Sequence, residues 1–360
     1  MIDEPTPSSE RAAPRRFETA APPHAKPLSS VPRIMRRVLY ALAPAAVVYT
    51  WFFGFGLLIN FVIAAVAALA TEAAILLLRR RPVSRSLRDY SALVTAALLA
   101  FALPPLLPWW VPALGGFVAI ALAKQLYGGL GKNLFNPAMV AYVLLLASFP
   151  ILMTQWLPPR MGDLDYRPLG FVDQVRYSLF VELPPERTVD AYTRATPLDM
   201  VKEGLRSQRT FQELRGSSMI GTFGGRGWEW VGNFIALGGL YLLYAGIIRW
   251  QIPIAVLAGL CLPALVLHLI DPSGFPGPAF HLFSGAALLG AFFIATDPVS
   301  AATSDRGRLY YGAGIGLLTY AIRTWGGYPD GLAFAVLLMN AAVPLIDRYT
   351  QPRIYGHAER

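Results

Sequence analysis

Residues 57–78 read LLINFVIAAVAALATEAAILLL and are followed at once by Arg79-Arg80-Arg81. A predominantly apolar run of this kind matches the roughly 20 residues that an α-helix needs to cross about 30 Å of hydrocarbon. The arginines stop it at a membrane surface. Working outward, similar runs predict spans at Val38–Phe53, Leu57–Leu78, Ala92–Leu106, Trp109–Ala123 and Pro137–Met153. After a long polar insert, further spans are predicted at Trp230–Trp250, Ile252–Ile270, His281–Thr296, Leu309–Ile322 and Gly331–Leu345. The predicted fold class is an all-α polytopic membrane protein of about ten transmembrane helices.

Composition agrees. The 360 residues are 55% hydrophobic and only 15% charged, with a mean hydropathy of +0.45. A soluble chain of this size cannot keep so much apolar surface from water. The formal charge of +9 is carried largely by short basic tracts beside apolar runs, the pattern of membrane flanks and not of a nucleic-acid site. Cys261 is the sole cysteine, so this chain alone can build neither a disulfide nor a cysteine-ligated iron–sulfur cluster.

The arginines set the orientation. Arg79–Arg88 carries five of them, whereas the loops Gly54–Gly56, Pro104–Pro108 and Asp271–Phe280 have no Lys or Arg. Both termini are therefore expected on the cytoplasmic side, with Arg323 as the exception. Residues 1–34 read as a disordered cytoplasmic tail, residues 35–153 and 230–346 as two transmembrane halves, and residues 347–360 as a cytoplasmic C-terminal tail. The insert, residues 154–229, then faces the opposite aqueous space. Asn136-Pro137 and Asp297-Pro298 each follow an apolar run. Two polar–Pro breaks at related points suggest a duplicated five-helix core, an arrangement that marks ligand sites in membrane bundles.

Several stretches invite chemistry. Asp190-Ala-Tyr-Thr-Arg-Ala-Thr196-Pro-Leu lies in the insert, where Thr196 reads as the N-cap of a helix over Pro197–Leu205. Gly131-Lys132 is not a phosphate loop, because Leu126 and Asn133 stand where Gly and Ser or Thr are required. Asn133 and Asn136, one helical turn apart, can offer two amides to a polar ring edge or cap a helix. Glu72 and Asp297 are acids within or beside spans, either ion-path groups or paired structural charges. Gly312-Ala-Gly-Ile-Gly316 has the spacing that lets helices approach closely. His268 and His281 flank one loop, without other support for haem.

Lys132-Asn-Leu-Phe-Asn-Pro-Ala-Met139, Ala295-Thr-Asp-Pro-Val-Ser-Ala301, Tyr311-Gly-Ala-Gly-Ile-Gly316 and Asn340-Ala-Ala-Val-Pro-Leu-Ile-Asp347 resemble the family of Rnf complex D subunits and sodium-pumping NADH:quinone reductase B subunits. The resemblance runs in order from the first span to the end and is nearer to the Rnf branch. It implies ten helices and a bacterial inner membrane location. It implies FMN in phosphoester linkage to Thr196, installed by a separate flavin transferase, and non-covalent riboflavin near Asn133 and Asn136. The family's Ser/Thr-Gly-Ala-Thr site falls on Thr193–Thr196, with Arg194 where Gly is expected. Other subunits of the complex would supply the ferredoxin and NAD sites, and ions, protons or sodium, would pass near Glu72 and Asp297. A secondary transporter or channel in membrane lipid is the alternative, as is the quinone-reductase branch.

Overall fold

The computed structural model describes residues 30–160, 169–184 and 189–351. Most of the predicted N-terminal tail, and the C-terminal tail beyond Gln351, lie outside the described residues. The first half comprises α1 (Val31–Phe53), α2 (Gly56–Leu78), the short α3 (Val83–Leu87), α4 (Ser91–Ala102) and α5 (Trp110–Val118). α5 runs on as a π-helical segment, Ala119–Gln125, and α6 (Pro137–Ser148) and α7 (Pro150–Met153) follow. The insert folds into α8 (Phe171–Phe180), α9 (Val189–Tyr192), α10 (Pro197–Arg206) and α11 (Phe211–Arg215). The second half comprises α12 (Trp228–Tyr244), α13 (Gln251–Ile270), α14 (Pro278–Leu282), α15 (Ala287–Leu289) with a π-helical continuation Gly290–Ile294, α16 (Asp305–Trp325) and α17 (Leu332–Thr350). Among the described residues there is no strand, only two isolated bridges.

Three helices, α2, α13 and α17, are long and apolar enough to cross a membrane, and α4, α5 with its π-helical continuation, and α6 are shorter apolar helices. Local chemistry explains several ends. Pro32 pre-sets the first turn of α1, which starts inside the predicted tail. Asn136 caps α6 with Pro137 at its start, and the Ser304 hydroxyl accepts from Gly307 N at 2.9 Å to open α16 ahead of its predicted start.

Two of the predicted runs are divided in the structure. The run predicted as one helix at Pro137–Met153 is divided at Phe149, because Pro150 cannot donate to the preceding turn. The run His281–Thr296 is divided between Leu282 and Ala287, where Gly285 adopts φ +68°.

Packing joins the two halves. One apolar core takes residues from α1, α4, α6, α12, the Gly290–Ile294 segment and α17. α13 and α16 meet along a glycine seam: a Cβ at Gly316 would strike the carbonyl of Val256, and one at Gly259 the backbone of Ala313. The small-residue spacing at Gly312–Gly316 thus serves helix packing. The insert has small cores of its own, one formed by Leu198, Val201, Phe211, Leu214, Ile220 and Phe280.

Candidate functional site

Thr196 stands at the N-cap of α10 in a capping box. Its Oγ1 accepts from Asp199 N at 3.1 Å and donates to Asp199 Oδ2 at 2.6 Å, while Thr196 N donates to the same carboxylate at 3.3 Å. The sequence-based helix at Pro197–Leu205 forms, one residue longer. The approach to Thr196 is held by Arg194 N, which donates to Trp156 O at 2.8 Å in an antiparallel bridge. Arg194 is absent from the described non-glycine residues with positive φ, which are Arg80, Tyr90, Val181 and Gln208. The backbone there asks for no glycine, so Arg194 brings no conformational strain.

α10 is moored to the end of α16. Lys202 Nζ donates to Ile322 O at 3.1 Å and to Tyr328 O at 2.6 Å, and Arg206 Nη2 donates to Gly326 O at 3.3 Å. These cations meet the carbonyl end of a helix, where positive charge is favoured. Burial pushes the Lys202 ammonium below its ordinary pKa. Burial also holds the Asp199 carboxyl above the usual carboxylate range, against the lowering effect of its hydrogen bonds with Thr196.

Thr196 and Asp199 sit on the rim of a cavity of about 380 Å³ between the two halves, walled by Phe101, Tyr142, Trp156, Trp228 and Leu332. That volume falls within the range of roughly 300–1,000 Å³ typical of organic ligand pockets. Trp156 and Trp228 pack edge to face, centroids 5.3 Å apart. Ile294 also lines the cavity, and its carbonyl accepts from Asn136 Nδ2 at 3.3 Å.

The rim includes Asp330, a residue that no sequence motif singled out. Arg323 Nη1 donates to His281 O at 2.5 Å and Nη2 to Ser284 O at 3.1 Å, satisfying carbonyls at the end of α14. Asp330 Oδ2 accepts from Ala286 N at 2.7 Å at the start of α15, and Asp330 Oδ1 pairs with Arg323 at 3.2 Å. A helix broken in a low-dielectric setting needs its freed backbone groups satisfied. One ion pair does both, which also accounts for Arg323 as the exception to the basic-loop pattern.

The four motif stretches, far apart in sequence, converge on one buried polar junction. Asn136 Oδ1 caps α6, Asn136 N donates to Asn340 Oδ1 at 3.1 Å, and Asn340 Nδ2 donates to Ser300 O at 3.1 Å and Tyr311 Oη at 2.7 Å. Asn133 Nδ2 donates to Phe135 O at 3.1 Å, and its side chain also hydrogen-bonds Asp297. Asp297 accepts from Ser300 Oγ at 2.9 Å and Val299 N at 3.4 Å. Glu72 is brought not to this junction but to a separate buried cluster. Lys124 Nζ lies 2.7 Å from Glu72 Oε1 and donates to Ser91 Oγ at 2.7 Å, and Gln125 Nε2 donates to Glu72 at 3.0 Å. Glu72 Oε2 is buried without a partner among the described residues.

The sequence model of the NQR2, RnfD, RnfE family matches residues 18–356. The D subunit of the ion-translocating oxidoreductase complex of Vibrio cholerae is 51% identical over 350 residues, covering 95% of this chain and 99% of that protein. Its namesake in Aliivibrio salmonicida is 49% identical over 349 residues, with 95% and 99% covered. That of Alcanivorax borkumensis is 52% identical over 341 residues, with 94% and 96% covered.

Proposed function

The chain belongs to the NQR2, RnfD, RnfE family, and from that premise we propose that it is the flavin-carrying membrane subunit of an ion-translocating oxidoreductase complex. Thr196 carries FMN through a phosphoester bond made by a separate flavin transferase. Other subunits hold the ferredoxin and NAD sites, and the chain lies in a bacterial inner membrane with both termini on the cytoplasmic side. The bundle crosses about ten times around a duplicated core. In support, each polar–Pro pair, Asn136-Pro137 and Asp297-Pro298, follows a π-helical segment, a distortion that recurs at functional sites.

One observation carries the reading: the Thr196 hydroxyl stands at the rim of an apolar, aromatic-walled cavity large enough for a flat conjugated ring. The residues fit the group in three ways. The hydroxyl is half-buried and lines the cavity; the positive end of α10 faces an anion attached there; and Phe101, Trp156 and Trp228 give the cavity an aromatic lining. Bound flavin supplies one- and two-electron transfer at a potential set by its surroundings. The chain's own part is placement. Lys202 and Arg206 fix α10 against α16, and Asp199 and Asp330 put carboxyl groups on the rim.

For riboflavin at Asn133 and Asn136, the amides are engaged by the protein itself, so a flavin there exchanges partners with the junction. Glu72 and Asp297 are proposed as ion-path acids, with Lys124 as the built-in counter-charge of the first.

The test is co-expression with the flavin transferase, followed by fluorescence of the denatured band. Thr196→Ala is expected to abolish it, and Thr196→Ser to keep it. Fluorescence that survives Thr196→Ala moves the attachment elsewhere, and a wild-type chain with no flavin of either kind removes the redox role.

A further inference from the structure

α8 is inside out. Its inward face buries two polar side chains, Gln174 and Ser178, beside Tyr177, which joins a small apolar cluster with Leu106 and Leu169, while Phe171, Val172, Leu179 and Phe180 stand between 47% and 68% exposed. A helix on a water-washed surface shows the reverse pattern. Plotted at 100° per residue, these four and Val175 fill one half of the wheel, which also holds Arg176.

Both ends of α8 are pinned at the height where membrane helices begin. The Phe171 ring meets Phe55, the residue before α2, edge-on with centroids 5.2 Å apart. At the other end Trp109 N, at the start of α5, donates to Ser178 O at 2.8 Å. The Gln174 amide lies against Gly54 in the α1–α2 turn. α2 and α5 start on the face that carries the insert and pack on each other. A ten-residue helix, about 15 Å long, thus bridges the starts of two neighbouring helices. Its outward face continues the exposed apolar stripe Leu58, Val62, Val66 of α2, and exposed Trp109 and Trp110 stand beside it at the depth that tryptophans favour.

We propose that α8 is an interfacial helix whose outward face is seated at the headgroup–acyl boundary of the phospholipid leaflet on the insert side, with Arg176 reaching lipid phosphate. A lipid surface fits better than a partner's transmembrane helix. The outward arc is broad and made of bulky side chains, with none of the small residues that let membrane helices approach closely. The one basic side chain within the arc, Arg176, is long enough to snorkel to phosphate.

Cys261 is the sole cysteine, so Cys261→Ala gives a background for site labelling of the full chain. Nitroxide is placed at Val172→Cys or Leu179→Cys, with Arg215→Cys as the aqueous reference, and the chain is reconstituted in phospholipid nanodiscs. At 172 and 179, collision with oxygen is expected to exceed collision with a water-soluble nickel chelate several-fold, and at 215 the order reverses. Nickel dominance at 172 and 179 overturns the proposal, as does occlusion from both reagents. In the assembled complex, benzoylphenylalanine in place of Val172 is expected to crosslink to lipid; a crosslink to another subunit overturns it in favour of a protein partner.

Discussion

Thr196 has one duty in the fold, as the N-cap of α10, and a second in the proposed function, and the two can be separated. As an N-cap its loss costs about 1 kcal/mol; as the proposed attachment point its loss would remove the whole linkage. Thr196→Ala is therefore expected to lower thermal stability modestly while abolishing covalently bound flavin, and Thr196→Ser to keep both. Asp199 gives a pH signature. Its carboxyl is held above the ordinary range, chiefly by burial, so the folded state favours the protonated form. That contribution is fully present below the unfolded value near pH 4 and is lost as pH rises through the raised folded one. Asp199→Asn stays neutral throughout, so the unfolding midpoint of the variant falls less than that of the wild type between pH 4 and pH 7. A parallel fall in both proteins refutes the assignment. Arg323 is buried against backbone carbonyls and Asp330. Arg323→Ala alone is expected to cost roughly 3–5 kcal/mol, because it leaves a carboxylate unpaired. Arg323→Met with Asp330→Leu costs less than the sum of the single changes, as a double-mutant cycle of unfolding midpoints would read.

At the scale of elements, two helix starts were legible because a side chain acts on its own backbone there, whereas the Ser304 cap that opens α16 was missed. Thr196-Pro197 and Asn136-Pro137 open helices as their chemistry requires. The break in the span His281–Thr296 was not legible, since the groups that make it tolerable, Arg323 and Asp330, lie outside the span. The two π-helical segments were missed for the same reason, as no local spacing signals them. The Gly312–Gly316 spacing was readable, and the α13–α16 seam is its outcome. Gly316→Val drives a side chain into the Val256 carbonyl and should destabilise by roughly 1–3 kcal/mol, seen as a lower aggregation midpoint in detergent. The same change at Gly131, whose surroundings are open, leaves packing intact and is felt only through the positive φ there.

At the scale of the molecule, the cavity exists only because the two halves meet. Ala333 is on its wall and otherwise buried. Ala333→Phe fills space without touching Thr196, so denatured-gel fluorescence should match the wild type while native flavin anisotropy falls. Equal anisotropy would mean that the ring does not use this cavity. The sequence by itself determined that the chain is apolar enough for a membrane, where its apolar runs lie, and which threonine opens α10. Those properties add up residue by residue along a stretch and need no partner. Tertiary structure decided the rest: that Asn136, Asp297, Tyr311 and Asn340 gather at one junction, that Glu72 is met by Lys124, and that Arg323 braces a broken helix. A buried polar group must find a partner wherever the fold offers one, and such partners lie scores of residues away, beyond the reach of any local pattern.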